Sequence, residues 1–378
     1  MLKNFLRFVI TLAVIAGIGY GGYLFAMHTI DTHSFVAIDE DASPDDYFLL
    51  EITSGMRASE VIEILYEQEL VRHEFIARML VRFRGWGRIQ IGQYRVHAGM
   101  SLEEMFDLFE NQEDYVDICE LYICVIIPEG WRLDQIARLF ANHEEIEMDI
   151  SRRRLLELWE DPDFLAELIE EYWFLTDAIL NPLLYYPLEG YITPIRHQIP
   201  RDETDPRVIT RAILSMTEQI LRPVRTEMEE HELTVHEILS FAAVIEGETQ
   251  RVDQMNDVAG VFQNRLAMHE PWGTDVSAQY LFPGEQQEFV SYDMTQVYSP
   301  FNTYIYPGVP IGPMNSPSVA AIRAAMNPTD HDYVFFMTDM FGCAGEVGEK
   351  LYAFTNAEHE HNRNTYLNPA LHNDGVCP

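Results

Sequence analysis

The stretch TVHEILSFAAVIEGET, residues 234–249, predicts a helix with a well-marked beginning. Thr234 and Glu237 have the spacing of a capping box, in which each side chain accepts a hydrogen bond from the other residue's backbone N–H. Offsets of three, four and seven place four residues on one helix face: Leu239, Ala242, Ala243 and Glu246. The carboxyl group of Glu246 therefore extends an apolar stripe, where desolvation raises its pKa and favours the protonated acid.

The helix alone leaves two roles open for Glu246, a general acid or one half of a buried structural pair. Glu248 follows two positions later and points roughly to the opposite side of the helix. We therefore do not expect the two carboxyl groups to share a site.

Further motifs occur in a fixed order along the chain. They are LEGYITP at residues 188–194, then VIEGET, VFQNRL, TDVSAQY, SPFNTY, PGVPIGPMNSPS and the closing FTNAEHEHN. This ordered set, which covers most of the chain, is similar to the MltG/YceG-like endolytic murein transglycosylases. The resemblance implies an enzyme that cleaves the glycan strands of peptidoglycan, with the first Glu of the E-x-E pair, Glu246, as the catalytic acid/base.

Two positions depart from the family pattern. Gly247 stands where the family usually has Lys, and Ile195 and Arg196 stand where it usually has an Asp-Thr pair. Neither departure removes the proposed acid. The second one weakens any role that the resemblance assigns to the neighbours of Glu189.

The implied reaction breaks the β-1,4 bond between MurNAc and GlcNAc, and its leaving oxygen needs a proton. In lytic transglycosylases the C6 hydroxyl of the muramic sugar attacks its own anomeric carbon, which gives a 1,6-anhydro end and requires one carboxyl group. A water-using muramidase would need a second carboxylate, for which Glu189 and Asp275 are candidates. A non-catalytic glycan-binding scaffold for cell-wall synthases is the other alternative, with Glu246 as a structural residue.

Polar residues in the motif segments are candidates for substrate binding, because ligand contacts gather in loops and turns. Substrate contacts are predicted for Glu189, Asn264, Asp275, Asn302, Thr303 and Tyr304. Local capping and turn formation are the alternative role of each. The sequence contains no Walker A, dinucleotide-binding, GxSxG or HExxH motif, so phosphate binding, serine hydrolysis and zinc proteolysis lack their usual residues. We expect no cofactor and no metal.

Composition limits the class of partner. A formal net charge of -36 repels phosphate backbones, which argues against a nucleic-acid partner. Hydrophobic residues make up 47% of the 378 residues, enough for a sizeable core. The alternation of strand and helix patterns predicts an α+β fold.

Residues 8–27, FVITLAVIAGIGYGGYLFAM, form an uncharged stretch that predicts a transmembrane helix. Lys3 and Arg7 precede the stretch and acidic residues follow it, so residues 1–7 are expected in the cytoplasm and the rest of the chain outside. A cleaved signal peptide is the alternative. Residues 28–46 are acidic and predict a spacer. The expected location is therefore the cell membrane, with a single span.

Residues 47–112 predict a strand, two helices, a second strand and a third helix. Ser101 and Glu104 have capping-box spacing at the beginning of the third helix. This order resembles the LysM-like module of endolytic transglycosylases, and LysM modules bind glycan that contains GlcNAc. A purely structural docking domain is the alternative. Residues 113–378 are then expected to form a mixed α+β catalytic domain.

Four cysteines in a chain expected outside the cytoplasm predict disulfides. Local spacing favours a bond between Cys119 and Cys124, which would clamp a hairpin in residues 113–127, and a bond between Cys343 and Cys377. Four reduced, buried thiols are the alternative. No His or carboxylate is spaced among the cysteines as a zinc site requires.

Overall fold

The computed structural model describes residues 20–21, 28, 36–39, 41–44, 46–52, 56–86, 88–90, 92–111, 119, 122–146, 151–282, 290–373 and 375–377. Contacts divide the chain into two compact units, Met1–Leu121 and Tyr122–Pro378. The predicted membrane span at residues 8–27 lies outside the described residues except for Tyr20 and Gly21. Within the described ranges, no helix combines the length and the apolar character that a bilayer crossing needs.

The first unit contains the predicted elements in the predicted order. Strand β1 (Phe48–Ile52) is followed by helices α1 (Ala58–Glu67) and α2 (Glu74–Arg84), strand β2 (Gly92–Val96) and helix α3 (Leu102–Glu110). The two strands are antiparallel neighbours. Alternate residues of each strand are buried, so one face of the ladder packs on the helices.

Helix α3 begins at the predicted capping box. The Ser101 hydroxyl oxygen accepts from the Glu104 N–H at 3.3 Å, and the Glu104 carboxylate accepts from the Ser101 N–H at 2.8 Å. Behind this cap, Phe106 and Phe109 are fully buried and make ring contacts with each other, and Tyr94 of β2 packs against Phe109. The helix is thereby fixed to the ladder.

Helices form most of the second unit. In chain order they are α4 (Leu133–Ala141), α5 (Arg152–Trp159), α6 (Pro162–Glu171), α7 (Pro206–Leu221), α8 (Arg225–Glu230), α9 (Val235–Glu248), α10 (Val252–Ala267), α11 (Asp275–Tyr280), α12 (Tyr292–Thr295), α13 (Val319–Met326), α14 (Asn356–Asn362) and α15 (Asn368–His372). Single turns of 3-10 helix cover Asp177–Leu180 and Arg222–Val224.

The strands of the second unit form two short antiparallel ladders. Strand β3 (Tyr122–Ile126) pairs with β4 (Arg196–Pro200), and β5 (Phe335–Thr338) pairs with β6 (Lys350–Ala353). The sequence predicted a local hairpin around Cys124, but in the described part of the chain the partner of this strand is the distant β4. Tertiary packing decides which strands pair, and a local pattern does not carry that information. The α+β class is confirmed.

Helix α9 carries the predicted Glu246 and is largely buried within the second unit. Its capping box is confirmed: the Thr234 hydroxyl accepts from the Glu237 N–H at 3.3 Å, and the Glu237 carboxylate accepts from the Thr234 N–H at 2.9 Å. The helix packs against α13 and α10. Burial extends beyond the predicted stripe to nearly every side of the helix, since all residues from Ile238 to Glu246 are buried.

Disulfides are present in the structure. Cys343 and Cys377 are bonded, with their Cα atoms 5.3 Å apart. Cys119 and Cys124 are also both disulfide-bonded. No free thiol occurs among the described cysteines.

Our first prediction concerns Gly190, in the LEGYITP motif. Its φ of 78° is in the left-handed region, and a Cβ would overlap the Pro313 ring and lie 3.1 Å from the Asn315 carbonyl oxygen. Gly190→Ala should therefore lose about 3 kcal/mol of unfolding free energy, from backbone strain and overpacking together. Denaturant unfolding of the full chain measures the loss.

Gly308→Ala is the matched control, because Gly308 has a φ of 102° but open space around its Cβ position. This variant should lose only about 1 kcal/mol, from backbone strain. Equal losses in the two variants would show that the close approach of Gly190 to Pro313 has no energetic weight.

Candidate active site

Glu246 lies near the C-terminal end of α9 and is only 3% exposed. Its Oε2 accepts a hydrogen bond of 2.9 Å from the backbone N–H of Ser318. Ser318 is the N-cap of α13, and its hydroxyl accepts from the Ala321 N–H. The carboxyl group therefore faces the positive end of a helix, which favours its ionised form.

The second oxygen of Glu246 is in a different environment. Oε1 is buried and forms no hydrogen bond with any described residue. A buried oxygen without a donor disfavours negative charge. Burial raises the pKa of Glu246 as the largest effect, the hydrogen bonds from Ser318 lower it, and the nearby charge of Glu129 raises it. Burial outweighs the hydrogen bonds, so the pKa of Glu246 is raised above the ordinary value of a glutamate.

The loop from Asn315 to Ser318, which contacts Glu246, is held in place by hydrogen bonds of Asn315 and Ser316. The Asn315 side-chain amide donates to the Ala243 carbonyl oxygen of α9 at 2.9 Å. The Ser316 carbonyl accepts from Gly130 N–H at 2.9 Å, and the Ser316 N–H donates to the Trp131 carbonyl at 2.7 Å. The turn at residues 128–131 is thus held against the loop that contacts Glu246.

Buried polar atoms without a partner gather at this point. Asn315 Oδ1 and Ser316 Oγ, like Glu246 Oε1, are buried and have no hydrogen-bond partner among the described residues. Native proteins satisfy nearly all such atoms, so each exception calls for an explanation, and a catalytic role is one of the known ones. The arrangement is suited to proton donation and to binding of polar groups.

Glu129 is a charged neighbour of Glu246 that the sequence reasoning missed. It is exposed, and it forms no hydrogen bond or ion pair with any other described residue. The sequence had suggested Glu189 or Asp275 as a second carboxylate, but the carboxylate that acts on the pKa of Glu246 is Glu129. The Pro-Glu-Gly run that follows strand β3 was the available signal, since it marks a turn near a strand end.

Glu189 is buried at the beginning of another helix. Its Oε1 accepts from the Leu133 N–H, the first N–H of α4, at 2.7 Å, and its Oε2 accepts from the Tyr280 hydroxyl at 3.3 Å. Burial raises the pKa of Glu189 to about 8. Both oxygens have protein partners, so the carboxyl group holds α4 and α11 in place.

Glu248 has different neighbours from Glu246. It accepts a hydrogen bond from the Thr274 hydroxyl, and its backbone carbonyl accepts from Lys350 Nζ at 2.6 Å. Burial raises the pKa of Glu248, while the charge of Lys350 opposes this effect. The separate partners agree with the expectation that the two glutamates do not share a site.

Three of the predicted substrate-binding residues lie together beside Glu248. The Tyr304 hydroxyl donates to Asp275, and Thr303 Oγ1 accepts from the Thr274 N–H at 3.1 Å. Asp275 is exposed and Tyr304 is half-buried, while Thr303 is buried. This group has an accessible polar edge, and its contact with substrate stays a prediction.

The two predicted asparagines use their amide groups within the protein. Asn302 donates to the carbonyl oxygens of Thr295 and Val297 at 3.0 and 2.7 Å. Asn264 donates to those of His331 and Tyr333 at 2.6 and 2.9 Å. Both amide groups therefore hold loops in place. Among the described residues, neither asparagine forms a hydrogen bond with Glu246.

Gly247 has a packing role at the position where the family usually has Lys. A Cβ at this position would overlap the side chain of Val276 on α11. The absence of a side chain therefore allows α11 to approach the end of α9 closely.

Comparison with known proteins agrees with these motifs. A model of the YceG-like family matches residues 50–365. An endolytic murein transglycosylase of Bacillus subtilis (strain 168) is 27% identical over 320 residues, which are 84% of each chain. An endolytic murein transglycosylase of Streptococcus pneumoniae (strain D39) is 26% identical over 376 residues, which are 97% of this chain and 65% of that relative.

A solved structure has the same architecture. The crystal structure of a yceG-like protein from Listeria monocytogenes is 25% identical and covers 84% of this chain and 99% of its own, with a TM-score of 0.58. The family match extends over most of the chain and includes the segments that hold Glu246, Glu189 and Ser318. The chain therefore belongs to the YceG-like family.

Proposed function

We propose that this protein is an endolytic peptidoglycan lytic transglycosylase, with Glu246 as the acid that protonates the leaving oxygen. The observation that carries the proposal is the environment of the Glu246 carboxyl group, which is buried and held by Ser318, while its Oε1 has no partner among the described residues. The relatives named endolytic murein transglycosylase support it. Cleavage would terminate the elongation of a nascent glycan strand.

The proposed step conserves all atoms of the substrate. Glu246 gives its proton to the glycosidic oxygen while the C1–O4 bond between MurNAc and GlcNAc breaks. The C6 hydroxyl of MurNAc forms the new C1–O6 bond, and the Glu246 carboxylate takes the hydroxyl proton. The acid is regenerated, and the new strand end is a 1,6-anhydro sugar.

The location is part of the same proposal. Residues 8–27 would anchor the chain as a single-pass transmembrane helix, and the acidic residues 28–46 would lift the folded part off the bilayer. Residues 47–112 would act as a LysM-like module that binds glycan. Cell-wall synthases that supply nascent strands would be the protein partners.

A water-using muramidase is the second candidate, and one observation favours it. The exposed carboxylate of Glu129 lies close enough to Glu246 to act on its pKa. A second carboxylate near the acid is what hydrolysis requires. Glu129 would then activate water, and the product would have a reducing end.

Our second prediction concerns Glu246→Gln. Gln keeps the shape and the packing but cannot donate the proton, so release of fragments from glycan strands should fall by about 10²–10⁴. Glu248→Gln should lose much less, because this side chain contacts Thr274 and not Ser318. Release of labelled fragments from purified strands measures both rates.

The stability of the same variant separates catalysis from folding. The raised pKa means that the folded protein holds a proton that the unfolded chain releases, so wild-type stability falls as the pH rises through this pKa. Glu246→Gln cannot ionise, and its melting temperature at alkaline pH should equal or exceed that of the wild type. A collapse of the melting temperature would show a structural role instead.

The third prediction concerns Glu129→Gln. Removing a negative charge next to Glu246 lowers the pKa of that acid, so the alkaline limb of the pH profile of kcat/KM should move to lower pH. The shift should shrink at high salt because Glu129 is exposed. An unchanged alkaline limb at low salt would show that the two carboxyl groups are not coupled.

The fourth prediction concerns topology. The region from about residue 47 onward should be digested by external protease in intact cells without their wall, because the positive residues precede the predicted span. Immunoblots with an antibody against the C-terminal region follow the digestion. Protection in intact cells combined with digestion after lysis would reverse the proposed orientation.

A further inference from the structure

A pocket of about 580 Å³ lies in the second unit, beside the buried Glu189. Its walls include charged residues of α4 and α5 and tyrosines from two other segments. They include Arg132, Asp134, Arg138, Arg152, Tyr185 and Tyr280. The mechanism proposed above does not use any of them.

Positive charge is concentrated in this pocket, although the whole chain has a net charge of -36. Asp134 is shared by two arginines, Arg152 at 3.1 Å and Arg138 at 3.9 Å. Arg132 forms no ion pair in the described part of the chain, where its guanidinium donates a single hydrogen bond, to the Tyr280 carbonyl at 3.5 Å. Three guanidinium groups thus face two lining carboxylates, Asp134 and Glu160.

Glu189 forms neither a hydrogen bond nor an ion pair with Arg132 in the described part of the chain. Burial raises the pKa of Glu189 to about 8, which weakens its negative charge near neutral pH. The same residue accepts from the Tyr280 hydroxyl, and the guanidinium of Arg132 lies 5.1 Å above the Tyr280 ring. Arg132 is therefore held in place with its charge available to a ligand.

An exposed aromatic ring lies next to this charge. Tyr185 is 47% exposed and stacks on Tyr280, with ring centroids 5.5 Å apart. Phe301 supports both rings from inside the protein. A rigid, flat and partly exposed ring is suited to contact with the apolar face of a sugar.

The pocket is connected to the proposed acid through Glu129. Glu129, whose charge acts on Glu246, and Arg132 are three residues apart, so their Cα atoms are separated by at most about 11 Å. A single glycan strand could therefore contact both.

We propose that this pocket is a substrate subsite, in which Arg132 binds a carboxylate carried by a sugar of the glycan strand and Tyr185 stacks on that sugar. The inference rests on the proposed function and adds to it the recognition of an acidic group. The carboxylate belongs either to the stem peptide or, on a sugar from which the peptide has been removed, to the lactyl group of MurNAc. Neutral glycan made only of GlcNAc carries neither group.

The test compares wild type, Arg132→Gln and Arg132→Lys on two substrates: strands with stem peptides and strands freed of peptides by an amidase. A charge-assisted hydrogen bond contributes about 1.5–3 kcal/mol, so Arg132→Gln should raise KM on the order of ten- to hundredfold with a smaller change in kcat. Arg132→Lys should recover part of the loss. A loss confined to peptide-bearing strands assigns the stem peptide, and a loss on amidase-treated strands assigns the lactyl carboxylate.

Arg153→Gln is the matched control, because it removes the same charge from a side chain that is 85% exposed and outside the pocket. Its KM should equal that of the wild type. Calorimetric binding of a soluble GlcNAc-MurNAc-peptide fragment and of a GlcNAc oligomer provides a readout without cleavage. Arg132→Gln should weaken binding of the acidic fragment and leave the neutral oligomer unaffected.

Two results would overturn the subsite: equal KM and equal fragment binding in wild type and Arg132→Gln, or equal losses in Arg153→Gln. The proposed function fails separately, if the wild type does not cut either substrate. In that case binding of the acidic fragment still decides whether Arg132 forms a carboxylate-binding site.

Discussion

The hydrogen bond from the Ser318 N–H to Glu246 is the constraint on which the proposed active site depends. It joins the end of α9 to the beginning of α13, the helix against which α9 packs. Burial disfavours the carboxylate, while the N–H and the helix N-terminus favour it. The catalytic acid that we propose must hold its proton until the substrate is in place and must then release it, and these opposing effects on the pKa of Glu246 would serve both requirements.

Glu189 makes the same kind of backbone contact as Glu246, but its role is structural. Each of the two glutamates is buried and accepts from a backbone N–H at the beginning of a helix, Leu133 in one case and Ser318 in the other. The Tyr280 hydroxyl satisfies the second oxygen of Glu189, whereas no described residue satisfies that of Glu246. In the function that we propose, this second oxygen of Glu246 is the one available to the substrate, and the corresponding oxygen of Glu189 is not.

Local features of the fold could be predicted from the sequence, because their causes lie within a few residues. The capping boxes at Thr234 and Ser101 and the burial of Glu246 are examples. The partners of Glu246 could not be predicted, since Ser318 is 72 residues away and Glu129 belongs to an earlier turn. The pairing of β3 with β4 was missed for the same reason, because spacing along the chain carries no information about distant contacts.

The mass of the strand ends that the purified full chain produces tests the central claim most directly. If Glu246 acts as the only catalytic carboxyl group, the sugar hydroxyl is the nucleophile and the new ends are 1,6-anhydro MurNAc, one water lighter than reducing ends. Mass spectrometry of digested strands distinguishes the two. Reducing ends alone would contradict the account, because they require an activated water molecule and a second carboxylate.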